Sequence, residues 1–103
     1  MRILAKFTLD VAAANEAIKN GRLPQMIEKS LANVNPEAAY FYTEDGKRTA
    51  IVVFDMKDPS DVAAIAEPWF LTANATVEFW PVMKSDDLRA GLQKALEEIA
   101  VPA

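Results

Sequence analysis

The sequence predicts an α+β fold: four strands in one antiparallel sheet, helices on one face, and a further helix near the C-terminal end. Three observations carry that prediction. Segments whose apolar residues alternate trade places with segments whose apolar residues recur every three or four positions. Asp45-Gly46 stands mid-chain as a hairpin signal. The 103 residues are 51% apolar and 25% charged, which suits one globular core and not two. Residues 1–103 therefore read as a single domain.

Residues 2–9 read as the first strand. Asp10 offers a helix N-cap, and Val11, Ala14 and Ile18 follow on one helical face. Gly21 is a C-terminal stop. Pro24 can open a second helical piece, with Leu23, Met26, Ile27, Leu31 and Val34 as its apolar stripe. Pro36 ends this region, because the residue before a proline is pushed out of the helical conformation.

Residues 37–43 form the second strand and residues 48–56 the third, which is apolar on both faces as a central strand should be. Asp58-Pro59 reads as a cap with proline at the first helical position. Val62, Ile65, Ala66 and Trp69 share a face of the helix that follows. Pro68 removes a hydrogen bond and is expected to kink or close it early. Residues 75–82 form a fourth strand, an edge strand by its Pro81. Ser85 is expected to cap a last helix striped by Leu88, Leu92, Ala95, Leu96 and Ile99.

The order β-α-β-β-α-β is the ferredoxin-like split pattern. It implies a sheet ordered fourth, first, third, second strand. A two-residue turn at Asp45-Gly46 pairs Glu44 with Lys47, Tyr42 with Thr49, Phe41 with Ala50 and Tyr40 with Ile51. Ile3, Ala5, Phe7, Leu9, Phe41, Ala50, Val52, Phe54, Val77 and Phe79 then fall on the helix-covered face. The other face mixes Leu4, Lys6, Tyr40, Tyr42, Ile51, Val53, Glu78, Trp80 and Val82. That mixture is too apolar to stay open to water. A second copy packing its own sheet there is the simplest cover, and the enclosed space is a natural small-molecule site.

Composition removes several functions. The chain has no cysteine and no histidine. Disulfides, thiol nucleophiles, zinc fingers, histidine-ligated haem and Ser-His-Asp triads are excluded. The net charge is -4, and the basic residues are scattered, so neither a nucleic-acid footprint nor a polyanion site is expected. Residues 1–34 carry a net +2 and residues 35–103 a net -6. The three glycines lack phosphate-loop spacing. Lys6 and Asp10 interrupt the N-terminal apolar run, so no signal peptide is expected. No segment approaches the roughly 18 apolar residues of a membrane span. A cytoplasmic protein without membrane contact is the expectation.

The chain resembles a small uncharacterised bacterial family of the dimeric α+β barrel superfamily. The residues carrying the likeness are Pro36-Glu37-Ala38-Ala39-Tyr40-Phe41, Asp45-Gly46-Lys47-Arg48, Asp58-Pro59-Ser60, Ala66-Glu67-Pro68-Trp69-Phe70, Asn74-Ala75 and Asp86-Asp87-Leu88. They run through nearly the whole sequence. The resemblance implies a homodimer built sheet to sheet and no particular reaction. The superfamily holds cofactor-free monooxygenases, muconolactone-isomerase-like enzymes, haem-binding members, dye-decolourising-type peroxidases and ligand-sensing domains, and a shared fold transfers none of these. The missing histidine disfavours the haem branch, leaving a tyrosine ligand as the formal route.

Three groups are candidate sites. Lys6 and Glu78, on neighbouring strands, form either a structural ion pair or a general acid/base couple. Tyr40, Tyr42 and Trp80 form either an aromatic dimer interface or a stacking surface for a flat ligand, with phenols placing its oxygens. Glu67, beside Pro68 and Trp69, either ends a helix or lines the mouth of the cavity. Arg48 and Asp55 read as solvated or structural, and Asp86, Asp87, Glu97 and Glu98 as dipole and surface charges. Asp55, Asp58 and Asp61 are loosely spaced carboxylates that Pro59 interrupts, so no metal site is expected and no cofactor is assigned. The leading expectation is a homodimer binding a small molecule between its sheets. The alternatives are a cofactor-independent isomerase, lyase or monooxygenase acting on a small aromatic or polyketide-like substrate, and a structural dimer with a filled interior.

Overall fold

The computed structural model describes residues 1–100. The chain runs β1 (Arg2–Thr8), α1 (Val11–Lys19), α2 (Arg22–Val34), β2 (Ala38–Glu44), β3 (Lys47–Asp55), α3 (Asp61–Ala73), β4 (Thr76–Pro81) and α4 (Ser85–Ile99). The four strands make one antiparallel sheet in the order β2-β3-β1-β4. Read from the other edge, this is the order expected from the sequence.

The hairpin forms as its turn chemistry dictates. Asp45 and Gly46 both take positive φ, 53° and 75°, which matches the twist of the flanking strands. Glu44 pairs with Lys47, Tyr42 with Thr49 and Tyr40 with Ile51. Asp10 caps α1, its carboxylate accepting the Ala13 N–H at 2.9 Å. Gly21, at φ 80°, lies between α1 and α2. Pro24 is the third residue of α2 rather than its opener; its missing N–H costs nothing there, since first-turn donors have no intrahelical acceptor.

The regular part of α3 begins at Asp61, two residues after the expected start. The N-cap falls on Ser60, which makes no side-chain cap bond; Asp58 braces the turn before it. Its carboxylate accepts the Ser60 N–H at 2.9 Å, and the Asp61 carboxylate accepts the Asp58 N–H at 3.1 Å. These reciprocal bonds close the turn around Pro59 that leads into the helix. Pro68 does not close the helix, which continues to Ala73. The carbonyl it leaves without an intrahelical donor belongs to Ala64, an exposed residue.

Helices α1 to α3 cover one face of the sheet. The core joins Ile3, Ala5, Phe7 and Leu9 of the first strand segment, Ala50, Val52 and Phe54 of β3, Ala14 and Ala17 of α1, Leu23 of α2, and Trp69 and Ala73 of α3. Trp69 stacks on Phe7 with ring centroids 4.1 Å apart. Helix α1 buries Ala14 and Ala17 and leaves Val11 and Ile18 exposed at the flanks; small residues let it approach the sheet closely. Phe41 falls on the helix side by register yet is exposed; β2 is an edge strand that lends the core only Ala39, at its margin.

Helix α4 departs from expectation most. Ser85 does not cap it: the Lys84 N–H donates to the Asp87 carboxylate at 2.9 Å, and Ser85 is the first helical residue. None of its residues is buried. It projects from the body, giving extents of 65 × 28 × 20 Å and a radius of gyration of 17.5 Å, against about 13 Å for a compact chain of this length.

Candidate functional site

Strand alternation leaves one face of the sheet without helices. Its rows follow from the register. Ala38, Val53, Leu4 and Trp80 stand side by side, next to them Tyr40, Ile51, Lys6 and Glu78, and then Tyr42, Thr49, Thr8 and Thr76. Leu4, Ile51 and Val53 are half-buried. Tyr40 is 68% exposed and Trp80 42%.

Charged groups bracket this aromatic band. At one end Arg2 Nε donates to Glu37 Oε1 at 2.5 Å, and Arg2 Nη1 lies 3.8 Å from Asp87 Oδ2 at the root of α4. At the other end Lys6 Nζ donates to Glu44 Oε2, and the Tyr42 hydroxyl donates to Glu44 Oε1 at 2.7 Å. Lys6 thus reaches from β1 across β3 to the end of β2, and Thr49, between them on β3, is buried. The Lys6 ammonium holds Glu44 below its ordinary pKa, helped by the Tyr42 hydroxyl. Glu44 in turn raises both Lys6 and Tyr42.

Lys6 and Glu78 are register partners on this face, but the ammonium turns the other way. Tyr42 accounts for the preference: it orients the Glu44 carboxylate, whereas Glu78 is exposed. Tyr40, Tyr42 and Trp80 do share the open face. Glu67 does not join them. It is exposed on α3, whose buried side packs on the opposite face of the sheet. Pro68 lies within α3, which continues past Glu67 to Ala73.

Sequence reasoning passes over Glu44, treating it as the residue that closes the hairpin. The available signal is its spacing: two residues beyond Tyr42 and four beyond Tyr40, it must share their face. The loosely spaced carboxylates have other partners. Asp55 meets Lys57 at 2.6 Å and the Met1 amino group at 2.7 Å, which hold it at about 2. Asp58 and Asp61 bond within the turn that precedes α3. Among the described residues, no group of three or more acidic side chains could hold a metal.

A concavity of about 720 Å³ lies on the helix side between α2 and α3, with Met26, Phe54 and Ile65 among its walls and Arg22 and Lys29 at its rim. None of Lys6, Tyr40, Tyr42, Glu44 or Trp80 borders it. On one chain the open sheet face is a surface; it becomes a pocket only when something covers it.

The molecule is, in class, a small α+β protein whose sheet is sealed by helices on one side and bare on the other, where tyrosines and a tryptophan surround an ion-paired lysine. More particularly, the chain belongs to the family described as a domain of unknown function (DUF3303), whose model matches residues 5–96. The match runs from within β1 to within α4. Comparison with curated proteins finds no match. No helix among the described residues is long and apolar enough to cross a membrane.

Proposed function

We propose that the protein is a homodimer whose bare sheet faces pack together as a ferredoxin-like, dimeric α+β barrel, and that it binds a small flat molecule in the enclosed space. The observation that carries this reading is the bare face itself. Tyr40 and Trp80 expose aromatic area around half-buried Leu4, Ile51 and Val53. Monomers rarely leave more than a few hundred Å² of contiguous apolar surface uncovered.

The polar cluster suits recognition better than proton transfer. A general acid or base works best when its pKa lies near the operating pH. Here Lys6 and Tyr42 are raised and Glu44 is lowered, so all three keep their charge states through neutrality. Lys6 has three N–H donors and one is taken by Glu44. A carbonyl or phenol oxygen can accept from another while the ring of the ligand stacks on Tyr40 or Trp80. The isomerase, lyase or monooxygenase reading through Lys6 and Glu78 is the weaker one, since Lys6 makes its ion pair with Glu44.

Light scattering and denaturing mass spectrometry of the purified protein test the proposal together. The expected result is a dimer that releases an aromatic small molecule on denaturation, or captures one from a fragment mixture. A monomer at micromolar concentration overturns the whole reading. A dimer that neither carries nor takes up such a molecule leaves a structural interface only.

A further inference from the structure

We infer that α4 is an exchanged arm, its leucine stripe covered by a second copy of this chain; this rests on the sheet-to-sheet dimer proposed above. Leu88, Leu92, Leu96 and Ile99 recur at helical spacing along one side of α4 and are all exposed, Leu96 at 62%. Exposed apolar stripes on stable helices normally face a packing partner. Among the described residues the arm's own chain does not supply one, since no residue of α4 is buried. Its root is held: Asp87 caps the first turn and also lies by Arg2 on the bare face.

Two further points make the second copy the occupant. First, the stripe continues the surface that the dimer would cover. Leu88 borders a shallow hollow with Pro81, Val82 and Met83 at the end of β4, next to Trp80, so apolar surface runs from the sheet onto the arm. Second, the sheet alone is small for a lasting dimer. Four strands of about seven residues present a face of about 450 Å², while a standard interface covers about 800 Å² per partner. A helix of 15 residues is about 22 Å long and 10 Å wide. Seating it on the partner adds about 220 Å² of footprint and brings the contact close to that size.

The test pairs a variant with a cross-linking measurement. Leu92→Glu combined with Leu96→Glu changes no buried residue, so the body is expected to fold, with the urea unfolding midpoint followed by far-ultraviolet circular dichroism as the check. Sedimentation is expected to show dimerisation weakened at least a hundredfold. In parallel, the intact protein is mixed as isotope-labelled and unlabelled chains and treated with a carbodiimide. Links from Lys94, Glu97 or Glu98 to the body are expected between chains of different label. A dimer of unchanged affinity in the double variant, or arm links found only within one chain, overturns the exchange and leaves the sheet-to-sheet dimer standing. A wild-type chain that is monomeric at micromolar concentration overturns both.

Discussion

Replacing Trp80 by alanine isolates the bare sheet face from the rest of the fold. The side chain is 42% exposed on the single chain. A tryptophan carries roughly 250 Å², so about 100 Å² is available for a partner to cover. At about 25 cal/mol per Å² this is worth about 2.5 kcal/mol. A two-fold interface uses the same patch twice, so the dimer loses about 5 kcal/mol, or between three and four powers of ten in Kd. Alanine recovers part of that area and interfaces return less than their full burial, which makes a hundredfold weakening the working threshold. Sedimentation velocity over a dilution series measures it. Trp69, buried and stacked on Phe7, is an internal fluorescence control for the fold of the variant. A Kd within threefold of wild type, with the wild type dimeric, would show that Trp80 is no part of the interface and refute the face-to-face geometry.

Asp10→Ala removes the hydrogen bond to the Ala13 N–H and is expected to cost about 1 kcal/mol, read from the urea midpoint; an unchanged midpoint contradicts the cap. Gly46→Ala places a side chain at φ 75° with open space around it, so the penalty is conformational only, about 1–2 kcal/mol. Stability equal to wild type would show that the turn has another shape. Glu44 titrates below its ordinary 4.5 because Lys6, and then Tyr42, bind the charged form. Its contribution to stability is complete above about pH 4.5 and is lost as the pH falls through the lower folded value. Side-chain NMR is expected to give a midpoint below 4.5 for Glu44, and Glu44→Gln is expected to bring Lys6 down toward 10.5. A Glu44 midpoint at or above its ordinary value would remove the cluster.

The strand registers were legible because they follow from one strong turn. Asp45-Gly46 sets the β2–β3 pairing, and period-two alternation then sorts every strand residue onto a face. Helix limits were less legible. Asp58 holds the turn before α3 while the N-cap falls on Ser60, and the continuation of α3 past Pro68 is decided by packing that local propensity does not show. The partner of Lys6 was out of reach for a similar reason. Register names the residue opposite it, Glu78, whereas a long flexible ammonium chooses whichever carboxylate is best held, and Tyr42 holds Glu44. The stripe of α4 was plain in the sequence; that it would find nothing to pack on within the chain was not, since periodicity shows which side of a helix is apolar and not where its complement lies.

The two outer strands of the sheet are unequally guarded. β4 bears Glu78 and finishes on Pro81, both of which discourage an additional strand. The run Ala38 to Thr43 in β2 has neither charge nor proline, and Tyr40 and Phe41 stand exposed from it. The β2 rim is therefore the margin of the sheet on which an added strand would meet the least hindrance.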